Sequence, residues 1–425
     1  MHSSNVRIAK LGILLLGITL LLVAGASAAS KEKVIYSFQG GSDGSNPWSD
    51  LVADAAGNLY GTTTAGGTGC NCGTVFELMR TKDGWKEQVL YSFTEGSDGG
   101  EPQTGLILDD AGNLYGTTWS AVFQLAPNGH GGWTESNLYT IPFGIWPAGD
   151  LAFDAKGNLY GASADDGNYG NHCGGKSDTG CGFVFQLSPQ AGGSWTETTI
   201  YTFSGAPDAA SPSSGLALDA AGNLYGVSSG GGTGSCLIRY QNATSGCGTV
   251  YELSPNSGGN WTESVLYSFT RGGGHGVYPL GGLLFDKASD VYGVSRAGGD
   301  GLGTVFKLHN SKKSGWQQTD LHLFYGKPND GSTPIGRLAT DAERNLFGVT
   351  SSGGANRAGT VFEMRHLKNR WKEIVLHSFG ASGDGAEPLA GLAFGQNGHL
   401  YGTTQNGGTG TACRGGCGVV YEVTP

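Results

Sequence analysis

The sequence predicts an all-β fold: one seven-bladed β-propeller of four-stranded blades, with the last blade closed by the N-terminal strand. Three observations carry this prediction. A motif centred on Asn-Leu-Tyr-Gly recurs seven times, each copy divides into four strand-sized runs, and the final copy lacks a fourth strand that is present at the start of the mature chain.

The motif stands at 58–61, 113–116, 158–161 and 223–226, with variants at 290–293, 345–348 and 399–402. Successive copies are 55, 45, 65, 67, 55 and 54 residues apart, so the insertions differ while the unit persists. In the fourth copy strand A is expected over 212–219 (Pro-x-x-Gly-Leu-x-x-Asp), strand B over 223–228, strand C over 248–253 and strand D over 261–269. Val, Thr, Tyr, Phe and Trp dominate these runs because they suit a pleated, packed surface. Asp-x-x-Gly-Asn between A and B is a hairpin signal: the Asp side chain caps the turn and Gly supplies positive φ. No helical period occurs after the first 30 residues.

Closure follows from the chain ends. The last copy supplies A at 388–394, B at 399–404 and C at 418–423, and the missing D strand is expected at 34–38. A linear solenoid would instead need capping repeats, and none is visible.

Residues 1–28 read as a signal peptide, with Arg7 and Lys10 before an apolar stretch at 11–24 and a small-residue cleavage site at 26–28. Fourteen apolar residues fall short of the roughly 20 that cross a bilayer core, so no membrane span is expected after cleavage. Residues 29–425 form the propeller, expected to be extracellular or periplasmic. The chain carries a net charge of −10 and becomes more acidic once Arg7 and Lys10 are gone, which argues against nucleic acid as partner. Glycine fills 78 positions and charged residues only 14%, as expected for short strands and tight turns. Radial repetition lets such a long chain fold, because each blade packs only on its neighbours. A monomer is expected.

The strings Asn-Leu-Tyr-Gly-Thr-Thr, Gly-Gly-Thr and Gly-Thr-Val-Phe-Glu-Leu resemble the choice-of-anchor tandem-repeat family called GloVer, over nearly the whole mature chain. The resemblance implies a bacterial exported repeat protein and supplies no catalytic residues. Family members carry varied C-terminal anchors, and no such anchor is read here.

All eight cysteines fall between strands B and C as four local pairs: Cys70/Cys72, Cys173/Cys181, Cys236/Cys247 and Cys413/Cys417. In an exported chain this placement predicts four disulfides, each stapling a short loop for roughly 2–3 kcal/mol at most. Two positions apart in extended chain is about 6.6 Å, so Cys70 and Cys72 pair only if Asn71 turns. The rival is a four-thiolate zinc site of Cys70, Cys72, Cys413 and Cys417 on adjoining blades.

Residues that recur blade after blade, such as Asp54, Asp109, Asp154, Asp219, Asp286 and Asp341, cannot by themselves build an asymmetric site and read as structural. Departures from the motif are therefore the candidates. Six tryptophans repeat on strand D (Trp85, Trp133, Trp195, Trp261, Trp316, Trp371), whereas Trp48, Trp119 and Trp146 map to the face of the D–A and B–C loops. Blade 2 has the shortest B–C loop and should leave a notch there, beside the tall loops of blades 3 and 4. An aromatic notch suits a sugar ring or an extended chain; the blander alternative is that these rings cover core. On strand A the position before the leucine is glycine at 105, 215, 282 and 391 but Asp50, Asp150 and Arg337 elsewhere. Those charges would hold a cation, a sugar hydroxyl or water, and a carboxylate pair about 5–10 Å apart would do acid–base work. The plainer expectation is a solvated ion pair in the channel. Asp-Gly pairs at 43–44, 98–99, 330–331 and 384–385 are read as turns, not calcium loops. Histidines such as His130, His172 and His275 show no paired metal spacing, and no nucleophile elbow, dinucleotide fingerprint or P-loop occurs. No cofactor or metal is expected.

The expected function is a non-catalytic binding module for a glycan or protein at the loop-rich face. The alternatives are a structural cell-envelope component and a polysaccharide-active enzyme using Asp50 and Asp150.

Overall fold

Six of the seven A–B turns are held by an aspartate of their own, and Gly395 stands at that position in blade 7. Asp54 Oδ1 accepts the N–H groups of Ala56 (2.9 Å) and Asn58 (2.8 Å), while Oδ2 accepts Asn58 Nδ2 (2.9 Å) and the Tyr60 hydroxyl (3.1 Å). Asp109, Asp154 and Asp219 repeat the same four bonds, which leaves them no free role. Gly57 (φ 85°) supplies the left-handed turn position that the hairpin requires.

We describe a computed structural model covering residues 31–425 apart from 143–144, 166–172, 174–179, 237–245, 273–274, 299–300, 312, 369 and 381–382. The signal peptide expected over 1–28 lies outside the described residues, as does His172. Seven antiparallel sheets form a ring, each adding strands outward from the axis in the order A, B, C, D. Blade 1, for instance, runs Ser45–Pro47 and Val52–Ala53, then Leu59–Ala65, Thr74–Thr81 and Gly84–Ser92. Among the described residues no helix is long and apolar enough to cross a membrane.

The fold is the seven-bladed propeller that the repeat predicts. Strand Lys31–Ser37 pairs antiparallel with Val419–Thr424 and completes the last blade, with Glu32 opposite Val423 and Tyr36 opposite Val420. Strand A departs from the expected single run. In blades 1, 4, 5 and 7 it is broken in two, and the innermost chains approach one another closely near the axis. A Cβ at Gly281 (φ 99°) would lie 2.3 Å from the carbonyl oxygen of Gly336 in the next blade. A second feature has no signature in the motif: a bulge in strand D of every blade, at Ile35, Leu90, Leu138, Ile200, Leu266, Leu321 and Leu376. Such bulges re-aim side chains and deepen local twist.

The core lies between blades. Seven buried clusters occur among the described residues, each drawn from two neighbouring blades. At six seams a phenylalanine just after strand D meets an aromatic ring on strand C of the next blade edge-on. The pairs are Phe38–Phe76, Phe93–Phe123, Phe203–Tyr251, Phe269–Phe306, Phe324–Phe362 and Phe379–Tyr421, with centroids 4.9 to 5.3 Å apart. Ile141 takes the place of phenylalanine at the remaining seam. The repeated strand D tryptophans are structural as expected: Trp85, Trp133, Trp195, Trp261 and Trp371 pack on strand B tyrosines of the preceding blade.

All four cysteine pairs are local disulfides, which removes the four-thiolate zinc alternative. Asn71 (φ 65°) makes the turn that brings the Cα atoms of Cys70 and Cys72 to 5.3 Å. The bridges also reach beyond their loops. The carbonyls of Cys72, Cys181, Cys247 and Cys417 accept N–H groups of Glu101, Ser211, Tyr278 and Asn46, each on the next blade.

Two outcomes follow. Deleting residues 31–37 leaves Val419–Thr424 as an open edge, so the truncated chain should melt well below the intact one and associate through that edge, as read by calorimetry and light scattering. Thiol titration of the denatured, unreduced protein should find no free cysteine among the eight.

Candidate functional site

Seven strand A segments surround a central cavity of ≈ 1080 Å³. At the level before the strand A leucine of each repeat, its wall reads Asp50, Gly105, Asp150, Gly215, Gly282 and Arg337 in blade order, with Gly391 at the same position behind it in blade 7. The alternation is steric. Each charged side chain lies over the glycine of the preceding blade. A Cβ on Gly105 would fall 2.8 Å from Asp150 Oδ1, one on Gly391 2.9 Å from Asp50 Oδ2, and one on Gly282 3.3 Å from Arg337 Cδ. The backbone N–H of Gly391 donates to Asp50 Oδ1, and that of Gly105 donates to Asp150 Oδ1.

The three charges expected near the channel mouth line one cavity, and Asp150 and Arg337 both act on Asp50. Burial raises the Asp50 carboxyl above the ordinary range and the charge of Asp150 raises it further, against the Gly391 N–H and Arg337. Burial likewise raises Asp150, opposed by the Gly105 N–H and Arg337. A carboxyl pair that holds on to a proton, beside a guanidinium, offers donors and acceptors together to a polar guest.

The three unrepeated tryptophans divide. Trp119 and Trp146 come together over a small hollow between blades 2 and 3, lined also by Glu101, Gln103 and Thr118. Trp48 faces the central cavity instead, and Gln103 lines both spaces. Blade 2 has the short B–C connection expected, closed by a bond from Thr118 N–H to the Ala121 carbonyl (2.8 Å). The tall loops expected beside it lie partly at 166–172, 174–179 and 237–245, outside the described residues. Trp146 is held through its carbonyl, which accepts Ala164 N–H (3.1 Å) and the Ser163 hydroxyl (2.9 Å), while its side chain is 51% exposed. Among the described residues the exposed large apolar side chains are Trp146, Leu302 and Tyr325. All three sit on B–C or D–A connections, so this face alone presents them.

The partnership of Gln103 with these rings has no signature in the repeat, because the position after the repeat proline varies from blade to blade (Trp48, Gln103, Ala148, Ser213, Leu280, Ile335, Leu389). Nor did sequence reasoning foresee that the Asp-Gly aspartates reach back to strand D. Asp98, for example, accepts the Tyr91 hydroxyl (3.0 Å) and Thr94 N–H (2.9 Å).

Ring closure, inter-blade cores and one ornamented face define a repeat-built β-propeller with an axial cavity. The chain belongs to the Gloeobacter/Verrucomicrobia repeat family, whose model matches residues 25–240 and 235–425. No curated protein matches it. Among solved structures it is similar to virginiamycin B lyase from Staphylococcus aureus, with 11% identity and a TM-score of 0.54 over 93% of this chain and 99% of that one. It is also similar to an extracellular domain assigned to a hybrid two-component system of B. thetaiotaomicron, with 11% identity and a TM-score of 0.54 over 92% of this chain and 39% of that one. At these identities the likeness is one of fold.

The carboxyls predict an unusual pH profile. Alongside Asp50 and Asp150, burial first and Asp43 second push Glu87 up to about 7, and burial with Asp208 pushes Glu263 up to about 8. Each folded value exceeds the unfolded one, so the folded state binds more protons. The stabilisation from Glu87 and Glu263 is complete below their ordinary value of 4.5 and is lost as pH rises through 7 to 8. The melting temperature should therefore fall between about pH 4.5 and 8. Glu263→Gln, which keeps the shape of the protonated acid, should flatten that fall in a calorimetric pH series.

Proposed function

We propose that this chain is an exported, non-catalytic binding module that takes a glycan at its loop-rich face, across Trp119, Gln103 and Trp146 toward the channel mouth at Trp48. The carrying observation is the half-exposed indole of Trp146 beside Trp119, with amide, hydroxyl and carboxylate groups at its edge. An indole face stacks on the apolar face of a sugar ring, and Gln103, Thr118 and Glu101 supply directed polar contacts for its hydroxyls. The four disulfides support an oxidising compartment, extracellular or periplasmic. A protein ligand is the second occupant that such a surface would take, and a ligand-free envelope role is the remaining alternative.

A polysaccharide-active enzyme is a separate reading, favoured by the raised carboxyl pair of Asp50 and Asp150. Against it, one oxygen of each carboxylate is taken by a glycine N–H, and the sequence carries no nucleophile elbow, dinucleotide fingerprint or P-loop.

Glycan-array screening followed by calorimetry of the best hit tests both. Trp119→Ala and Trp146→Ala should each weaken binding at least about tenfold, roughly 1.4 kcal/mol, with the melting temperature preserved. Unchanged affinity in the double variant would overturn the site. Turnover of any bound polysaccharide that vanishes in Asp50→Asn would establish the enzyme instead.

A further inference from the structure

A second repeated constellation lies on the outer strands, away from the loop-rich notch. Where strand D runs out, a tyrosine reaches the aspartate of the following loop: Tyr36 with Asp43 (3.0 Å), Tyr91 with Asp98 (3.0 Å) and Tyr201 with Asp208 (3.3 Å). A glutamate on strand D of the next blade, Glu87, Glu135 or Glu263, stands close enough for its charge to act on that phenol. Burial and these carboxylates hold the phenols protonated.

At two consecutive seams histidine replaces the tyrosine. His322 Nε2 lies 3.0 Å from Asp330 Oδ1, with Glu373 on the next blade, and His377 Nε2 lies 2.9 Å from Asp384 Oδ2, with Glu32 on the closing strand. In each cluster the imidazole nitrogen and one oxygen from each carboxylate fall within 4.8 Å of one another. Oε1 of Glu373 and Oε1 of Glu32 are buried and have no hydrogen-bond partner, as at the tyrosine seams (Glu87, Glu135, Glu263), so the imidazole is what sets these two clusters apart. Each imidazole is steadied edge-on by the seam phenylalanine, His322 by Phe324 and His377 by Phe379, both at 4.7 Å. Both rings retain partial exposure, 22% and 20%, which leaves a way in for a small ion.

We propose that His322–Asp330–Glu373 and His377–Asp384–Glu32 are two divalent transition-metal sites, suited to Zn²⁺. One imidazole nitrogen with two carboxylate oxygens is a mixed donor set that Zn²⁺ accepts, with a fourth position for water. Ligand atoms about 2.0–2.2 Å from a tetrahedral ion stand roughly 3.3–3.6 Å apart, so the histidine–aspartate pairs need to open only slightly. The ion would give the buried glutamate oxygen the partner it lacks and neutralise two carboxylates. The tyrosine seams hold the same carboxylates without a nitrogen donor, so the two histidines select the sites. The second site has a structural consequence: Glu32 belongs to Lys31–Ser37, so the ion would tie the ring-closing strand to blade 6. This inference is independent of the glycan reading and uses none of its residues.

The test uses the mature chain, free of affinity tag and stripped with a chelator. Zn²⁺ titration by calorimetry, with metal analysis after gel filtration, should give two equivalents. His322→Tyr and His377→Tyr restore the residue found at the tyrosine seams, so both variants should fold. Each should lose one equivalent, and the double variant both. Zn²⁺ should raise the melting temperature of the parent, and His377→Tyr should remove most of that rise. Fewer than one equivalent bound by the parent overturns the proposal. So does binding that survives the double variant, or Ca²⁺ binding of equal stoichiometry that is insensitive to both substitutions.

Discussion

The edge-on insertion of a phenylalanine from the end of one blade into the aromatic core of the next is the constraint on which this propeller rests. Each blade is a thin sheet with little interior of its own, and its buried clusters are completed only by a neighbour. A buried phenylalanine contributes about 1.5–3 kcal/mol by leaving water, and the edge-on geometry adds about 0.5–1.5 kcal/mol. Repeated around the ring, these contacts make the blades cooperative, and an unfilled seam would expose two apolar faces at once. The borrowed strand Lys31–Ser37 matters for the same reason, because it delivers Phe38 onto Phe76 and so seals the last seam.

Seam packing also shapes both polar regions. It draws the inner strands close enough that glycine is required beneath each charged side chain, and this is how Asp50, Asp150 and Arg337 come to project into one cavity. At the outer rim it stacks successive D strands, so that a tyrosine or histidine, a loop aspartate and a neighbour's glutamate converge. Burial that stabilises the ring is then what raises the carboxyls. The disulfides belong to the same scheme, since the carbonyl of the second cysteine in each pair seats the next blade.

Much of this was readable in the chain. Asp54 and Asn58 are four residues apart and their bonds are local, so the motif announces the turn wherever it occurs. Cysteine pairs such as Cys413 and Cys417 are likewise neighbours in sequence. The breaks in strand A and the bulges in strand D were not readable, because they go with close approach at the axis and with twist, which no single repeat contains. The tryptophans illustrate the limit. Trp119 and Trp146 line one hollow across a blade boundary while Trp48 turns to the channel, with Gln103 lining both spaces.

The sequence alone determined the number of blades, the strand that closes the ring and the family, since each depends on short-range pattern repeated along the chain, whereas the pairing of Cys70 with Cys72 waited on the turn at Asn71. Tertiary structure decided which departures from the pattern meet. Asp50 reaches Gly391 across 341 positions, and Glu32 reaches His377 only once the ring has closed. Such contacts run from blade to blade, and their partners are chosen by closure geometry and burial, neither of which is written in any one repeat.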